Sequence, residues 1–185
     1  MSESGAGGRY HRSANGLIAS LVVTVLAVAL FVVLRNANRT EPVLEPESVD
    51  YLDVVAQAAD GGTDLVHPRR LPEGWIATSI DLDRAPEPGW GIGILTDDDT
   101  FVGLRQEDAD VRDLVEEYVD ENAVTEDPIE VPGAIAPTWQ GWSDDGGDLG
   151  WSAEVGGETV LVYGSASAAD QRTLIGLLTT ERPAG

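Results

Sequence analysis

Two stretches of this chain are written to one plan. GWGIGILTDDDTFVGLRQEDADVRDLVEEYV begins at Gly89 and GWSAEVGGETVLVYGSASAADQRTLIGLL at Gly150. Trp90 falls on Trp151, Thr100 on Thr159 and Leu114 on Leu174, an offset of about 60 residues with a small drift. Trp90, Ile92 and Ile94 alternate with smaller residues, as do Trp151, Ala153 and Val155, the period-two mark of a strand with one buried face. Val111, Leu114, Val115, Tyr118 and Val119 then form a single helical stripe. Each unit reads strand, tight turn, strand, helix, and a further strand precedes each, WIATSIDLD from Trp75 and APTWQGWSD from Ala136. An amphipathic helix must cover something, so the pattern predicts an α+β fold. It would be a twisted antiparallel sheet of about six strands with packed helices, built as two strand-strand-strand-helix repeats.

The glycines of the second unit invite a catalytic reading that the residue types exclude. A phosphate loop requires G-x-x-x-x-G-K-[ST], and the chain has no lysine. GSASAAD likewise lacks the G-x-S-x-G of a nucleophile elbow. Gly156-Gly157 between two β-rich runs instead predicts a type I′ hairpin, whose two central residues need positive φ. Ser167, three residues before Asp170, has the spacing of a capping box at a helix start.

There are no cysteines among the 185 residues, which removes disulfides, thiol nucleophiles and Cys-ligated zinc. Past residue 39 the chain carries 7 arginines against 32 acids, a balance of -25. Such a body is repelled by nucleic-acid phosphates, so no nucleic-acid partner is expected.

At the other end of the chain, Leu17 to Leu34 is an uncharged run of 18 residues in which only Ser20 and Thr24 are polar. As a helix it would span roughly 27 Å, close to the hydrocarbon thickness of a bilayer. The run exceeds the apolar core of a cleaved signal peptide, and RNANRTEP follows it rather than a small-x-small cleavage site. The expectation is an uncleaved anchor at 17–34 in the lipid bilayer, after a cytoplasmic head at 1–16. A Pro/Glu-rich tether at 35–47 then leads to an extracytoplasmic α+β domain at 48–182, outside the cell membrane. Arg9 and Arg12 before the run are matched by Arg35 and Arg39 after it, so orientation rests on the layout of a signal anchor. Asn38-Arg39-Thr40 matches a glycosylation sequon beside the membrane. In the domain, a short helical pattern starts at Ser48, carries Leu52, Val55 and Ala59 on one side, and ends at Gly61-Gly62.

Few residues offer chemistry. His67, in HPRR, is the single histidine beyond the apolar run and has no serine motif near it, so it reads as a connector residue. Asp97-Asp98-Asp99 and Asp144-Asp145-Gly146-Gly147-Asp148 could supply oxygen ligands to calcium, but neither has the D-x-[DN]-x-[DN]-G spacing, and turns favour Asp and Gly anyway. No catalytic residue, metal ligand or cofactor is assigned. Trp139 and Trp142 lie three apart in a strand-like stretch and so point to opposite faces, which would leave one exposed as a contact residue. Arg69 and Arg70, isolated cations on an acidic body, could grip a carboxylate or phosphate, or pair with local acids.

Taken together, the short head, the anchor, LPEGW, VGLRQED and the closing LGWSAEVGGETVLVYGSASAADQRTLIGLL resemble an actinobacterial single-pass membrane family. That family is catalogued as domain of unknown function four-two-four-five. The resemblance implies an outward-facing domain and transfers no catalytic residues. LPEGW followed by strands is also similar, at the level of fold, to the extracytoplasmic sensor domains of anti-sigma-factor partners. The expected function is therefore a non-enzymatic binding or accessory domain of the cell envelope, taking an envelope protein or a small ligand. A sensor of envelope signalling and a hydrolase working through carboxylates alone are the alternatives.

Overall fold

The computed structural model describes residues 47–83 and 89–183. The expected head, anchor and sequon, and the tether up to residue 46, lie outside them. Among the described residues no helix is long and apolar enough to cross a membrane.

The chain enters through helix α1, Tyr51–Asp60. Its cap is Asp50, whose Oδ1 accepts from the Leu52 and Asp53 amides, two residues later than the expected start at Ser48. An ionised carboxylate next to unpaired helix-start N–H groups is a favourable cap, which places the boundary there. His67–Pro68 forms a short strand β1, followed by β2, Ile76–Asp83, β3, Gly89–Leu95, and β4, Phe101–Glu107. Helix α2, Val111–Tyr118, and strand β5, Val124–Glu130, separate this meander from a second one. The second comprises β6, Thr138–Ser143, β7, Leu149–Val155, and β8, Glu158–Gly164, then helix α3, Ala168–Ile175, and the short β9, Leu178–Thr179.

The main sheet is antiparallel throughout, in the order β2-β3-β4-β8-β7-β6-β5. The two repeats are thus two three-stranded meanders joined edge to edge, with Arg105 opposite Leu161 at the seam. The seventh strand corrects the expected six. β5 reads VTEDPIE, in which Glu126, Asp127, Pro128 and Glu130, residue types depleted in strands, break up the β-branched Val124, Thr125 and Ile129. It pairs with β6 around an irregularity between Glu126 and Ile129, where Pro128 sits. Acids and a proline on an outer strand block further pairing, so the composition that hides the strand in the sequence is what an edge strand uses. A second, two-stranded sheet joins β1 to β9, which makes the expected HPRR connector partly a strand.

Alternation sets the two faces. Trp90, Ile92, Ile94, Val102, Leu104, Trp139, Trp151, Val160 and Val162 share one face and pack with Tyr51 and Val55 of α1 and Leu174 and Ile175 of α3. On the other face Leu114 and Val115 of α2 close over Trp142 and Leu161. The helices of the two repeats therefore lie on opposite sides of the sheet. The exit from β8 differs from that of β4: it passes through Gly164 at φ +126°, after which the Ala166 amide donates to the Phe101 carbonyl. The β7–β8 turn is as expected, with Gly156 and Gly157 at φ +66° and +94° between the paired Val155 and Glu158. Ser167 caps α3 by accepting from the Asp170 amide, and its own hydroxyl donates to the Asp170 carboxylate at 2.5 Å.

Candidate functional site

The one buried cation among the described residues is Arg105 on β4, 5% exposed. It points to the α2 face and lies over β3, where Gly89 and Gly91 have no side chains to meet it; a Cβ on Gly89 would come 2.5 Å from Nη2. The guanidinium pairs with Asp83, the last residue of β2, and with Glu107. Tyr118 of α2 covers it, with the ring centroid 5.1 Å from Cζ, and donates its hydroxyl to Glu107 at 3.2 Å. Burial works against the charge on Arg105, but the two carboxylates more than offset it and raise its pKa. Burial raises the Tyr118 and Tyr163 hydroxyls, against the pull of the nearby Arg105, so both phenols stay neutral. With the cation matched by two carboxylates, the network has no spare charge for an anion. Its mechanical effect is to hold the end of β2 against β4 and α2.

Asp83 also borders a cleft that opens on the opposite, α1-covered face. This cavity of about 350 Å³ is walled by Ala58 at the end of α1, by Thr63 and Leu65 beyond it, and by Leu82, Asp83, Gly89, Trp90, Gln106 and Glu158 of the sheet. Its walls come from four neighbouring strands because β2, β3, β4 and β8 lie side by side, so Leu82, Trp90, Gln106 and Glu158 fall on one face of the sheet. Leu82 is 53% exposed, an unusual position for a leucine beside a mixed cavity. Gln106 is almost fully buried and its amide is committed: Oε1 accepts from the Val66 amide, and Nε2 donates to the Asp64 carbonyl and to Glu158. Gln106 and Glu158 line a second cavity of about 260 Å³ as well, together with Asp64, Val66, Ile135 and Thr180.

A third cavity, about 420 Å³, lies at the start of α2 between Asp110, Ser152 and Thr159. Apart from Glu154, an exposed acid, its polar side chains already have partners. Asp110 accepts from the Arg112 amide, Thr159 donates to the Ala109 carbonyl, and Ser152 accepts from the Trp142 indole. It offers less unspent chemistry than the cleft beside Leu82.

None of the candidate contact, catalytic or metal residues read from the sequence lines that cleft; Trp90, read as a strand residue with its face buried, does. Trp139 is wholly buried, with its Nε1 donating to the Ala136 carbonyl, and Trp142 is 8% exposed under α2. They do point to opposite faces, but neither is the expected exposed contact tryptophan, because α1 and α3 pack on the face of Trp139 and α2 covers Trp142. Arg69 and Arg70 are exposed, beside the β1–β9 pair, and among the described residues neither forms an ion pair. In the acidic turns, Asp97 accepts from the Trp75 indole and Asp144 from the Asp148 amide, so both are building turns. Among the described residues no group of three or more His, Asp or Glu is placed to hold a metal. The cleft residues went unread because Leu82, Gln106 and Glu158 look like ordinary strand residues. Only VGLRQED, with a cation and an amide inside an apolar strand, carried a signal.

His67 is buried in β1, with Nδ1 2.9 Å from the Leu65 carbonyl. A carbonyl only accepts, so Nδ1 holds the proton of the neutral ring. Burial lowers its pKa from the ordinary 6.5, outweighing the Leu65 carbonyl, which favours the charged form. As pH falls through about 6.5 the unfolded chain binds a proton that the folded chain refuses, so stability is full above that pH and declines below it. Melting curves between about pH 7 and pH 5, above the ordinary carboxylate range, are expected to fall with acid, and less steeply for His67→Asn. An equal slope in the variant would show that His67 does not carry the effect.

No curated protein and no solved structure matches this chain. The family described as a protein of unknown function (DUF4245) matches residues 9–178, from before the apolar run to the start of β9, and the chain belongs to that family.

Proposed function

We propose that this protein is a single-pass membrane protein of an actinobacterial envelope, with a cytoplasmic head and an outward domain that binds a ligand without transforming it. The observation that carries the binding half is the cleft beside Leu82: Leu65, Trp90 and an exposed leucine, with Gln106 and Glu158 as polar groups, at one place on the sheet. Pockets of this kind, mostly apolar with a few polar groups, are the usual form of small-ligand sites. The lone histidine of the domain is buried at β1, apart from the cleft, and lines none of it. The membrane half is supported by the 18-residue uncharged run at 17–34 and by the family match, which takes in that run and the domain together.

Two measurements test it. On intact cells, added protease is expected to remove a C-terminal tag and spare an N-terminal one; protection of the C-terminal tag reverses the orientation. In membranes holding the full chain, low-molecular-weight fractions of cell extract are expected to raise the melting temperature. Leu82→Arg, an exposed substitution worth at most about 0.5 kcal/mol in stability, is expected to abolish that rise. Appearance of a chemically altered product would favour the carboxylate hydrolase instead.

A further inference from the structure

We infer that the outer edge of β2 docks an extended segment of a partner protein, with apolar residues alternating with arginine or lysine, as a further strand of the sheet. β2 ends the main sheet on one side and β5 on the other. β5 is closed to pairing by Pro128 and its acids, whereas β2 reads IATSIDLD, with no proline and one irregularity, at Thr78. The Val49 amide donates to the Ala77 carbonyl at 2.8 Å, so the backbone of Ala77 faces away from β3. Ala77 stands opposite Ile94, Ile80 opposite Ile92 and Leu82 opposite Trp90. Successive partners there are two apart on β3, and backbone groups alternate in direction along a strand. Ile80 and Leu82 therefore turn their N–H and C=O groups outward as Ala77 does. Among the described residues no hydrogen bond reaches those outward groups. Such an edge is a template for another strand, with affinity drawn from main-chain hydrogen bonds and specificity from alternate side chains.

The side chains of β2 say what the added strand carries. Residues opposite each other share a face, and on the face of Leu82, 53% exposed, and Ile80, packed against the core, apolar residues belong. The alternate residues fall on the face of Asp81, where cations belong. Asp83 on that face is already held by Arg105, so Asp81 and the field of a body with a balance of -25 past residue 39 supply the preference. A second copy fits poorly. Antiparallel registers that pair Leu82 with Ile80 or with itself bring Asp81 opposite Asp81 or Asp83, and like charges directly opposite are destabilising. The site uses the strand edge rather than the cavity walls, so it can fail while the small-ligand reading stands.

The test adds three peptides of strand length, about six residues, to the full chain in discs of zwitterionic lipid at physiological ionic strength, where diffuse attraction to the acidic surface is screened. One alternates valine with arginine, one alternates valine with glutamate, and the third is the basic peptide N-methylated at its valines, which keeps the charge and removes the donors that face β2. The readout is the NMR signal and hydrogen exchange of the Ile80 and Leu82 amides. The basic peptide is expected to shift both saturably, to slow their exchange, and to bind about tenfold or more tightly than either other peptide, the worth of one or two backbone hydrogen bonds. Leu82→Pro removes an outward donor at a position where an edge strand tolerates proline, and is expected to weaken binding several-fold, with melting temperature confirming the fold. If the N-methylated peptide binds as tightly as its parent, the attraction is charge alone and strand addition is overturned. Equal binding by the acidic peptide overturns the basic partner. If both amides are protected before any peptide is added, with the chain dimeric or not, the edge is already covered and the inference falls. It falls as well if no peptide perturbs them.

Discussion

Replacing Trp139 with alanine is expected to destabilise the domain by about 3–5 kcal/mol, the range for deleting a buried aromatic from a core. The ring is wholly inaccessible, sits on β6 opposite Ile129 of the edge strand β5, and spends its N–H on the Ala136 carbonyl. Truncation would open a cavity between the outermost strands and leave that carbonyl without its donor. Against a typical total of about 5–15 kcal/mol, the loss is large enough to leave a sizeable unfolded fraction at 37 °C. Urea denaturation followed by near-ultraviolet circular dichroism measures it. A contact tryptophan would behave differently, losing a partner while the midpoint stayed in place. A shift below about 1 kcal/mol would therefore contradict the packing described here.

Gly164→Ala is the second large effect. At φ +126° the backbone is outside what L-residues readily adopt, and an added Cβ would stand 2.6 Å from the Phe101 carbonyl oxygen. That atom is backbone, held in the β4 pairing, and accepts from the Ala166 amide. No rotamer change relieves the clash, so β8, the start of β4 or the approach to α3 must shift. The buried Gln171 amide, which donates to the Gly164 carbonyl at 2.9 Å, would be disturbed with them. Strain at such a backbone position together with overpacking comes to about 3 kcal/mol or more. Gly156→Ala is the control: it also has positive φ, at +66°, but nothing lies within 4 Å of the new Cβ. Its cost should be only about 1 kcal/mol. Thermal melts of the two variants should separate clearly; equal losses would mean that the Phe101 clash contributes nothing.

Trp139 and Gly164 also mark the limit of what local pattern encodes. The period-two spacing of Trp139 and Trp142 identified opposite faces correctly, because alternation is a local property of a strand. Whether either face is open is not local. It depends on where α2 lands, and α2, whose Leu114 and Val115 lie well before Trp142 in sequence, lands over it. Gly164 lies in a cluster of small residues that reads as a loose connection before a capped helix. Its necessity appears only when the Phe101 carbonyl is brought against it from β4.

By itself the sequence determined whatever follows from neighbours along the chain. That includes the paired strand-turn-strand-helix units, the Gly-Gly hairpin with both residues at positive φ, the Ser167 cap, the stripe on α2 and the membership of residues 9–178 in one family. The tertiary structure decided the joining of the two meanders through β4 and β8, the acid-rich edge strand β5, the placing of the repeat helices on opposite faces, and the cleft beside Leu82. These depend on pairings between segments tens of residues apart. Propensity and periodicity act over a few residues, whereas Leu82, Trp90, Gln106 and Glu158 become neighbours only once four strands are laid side by side.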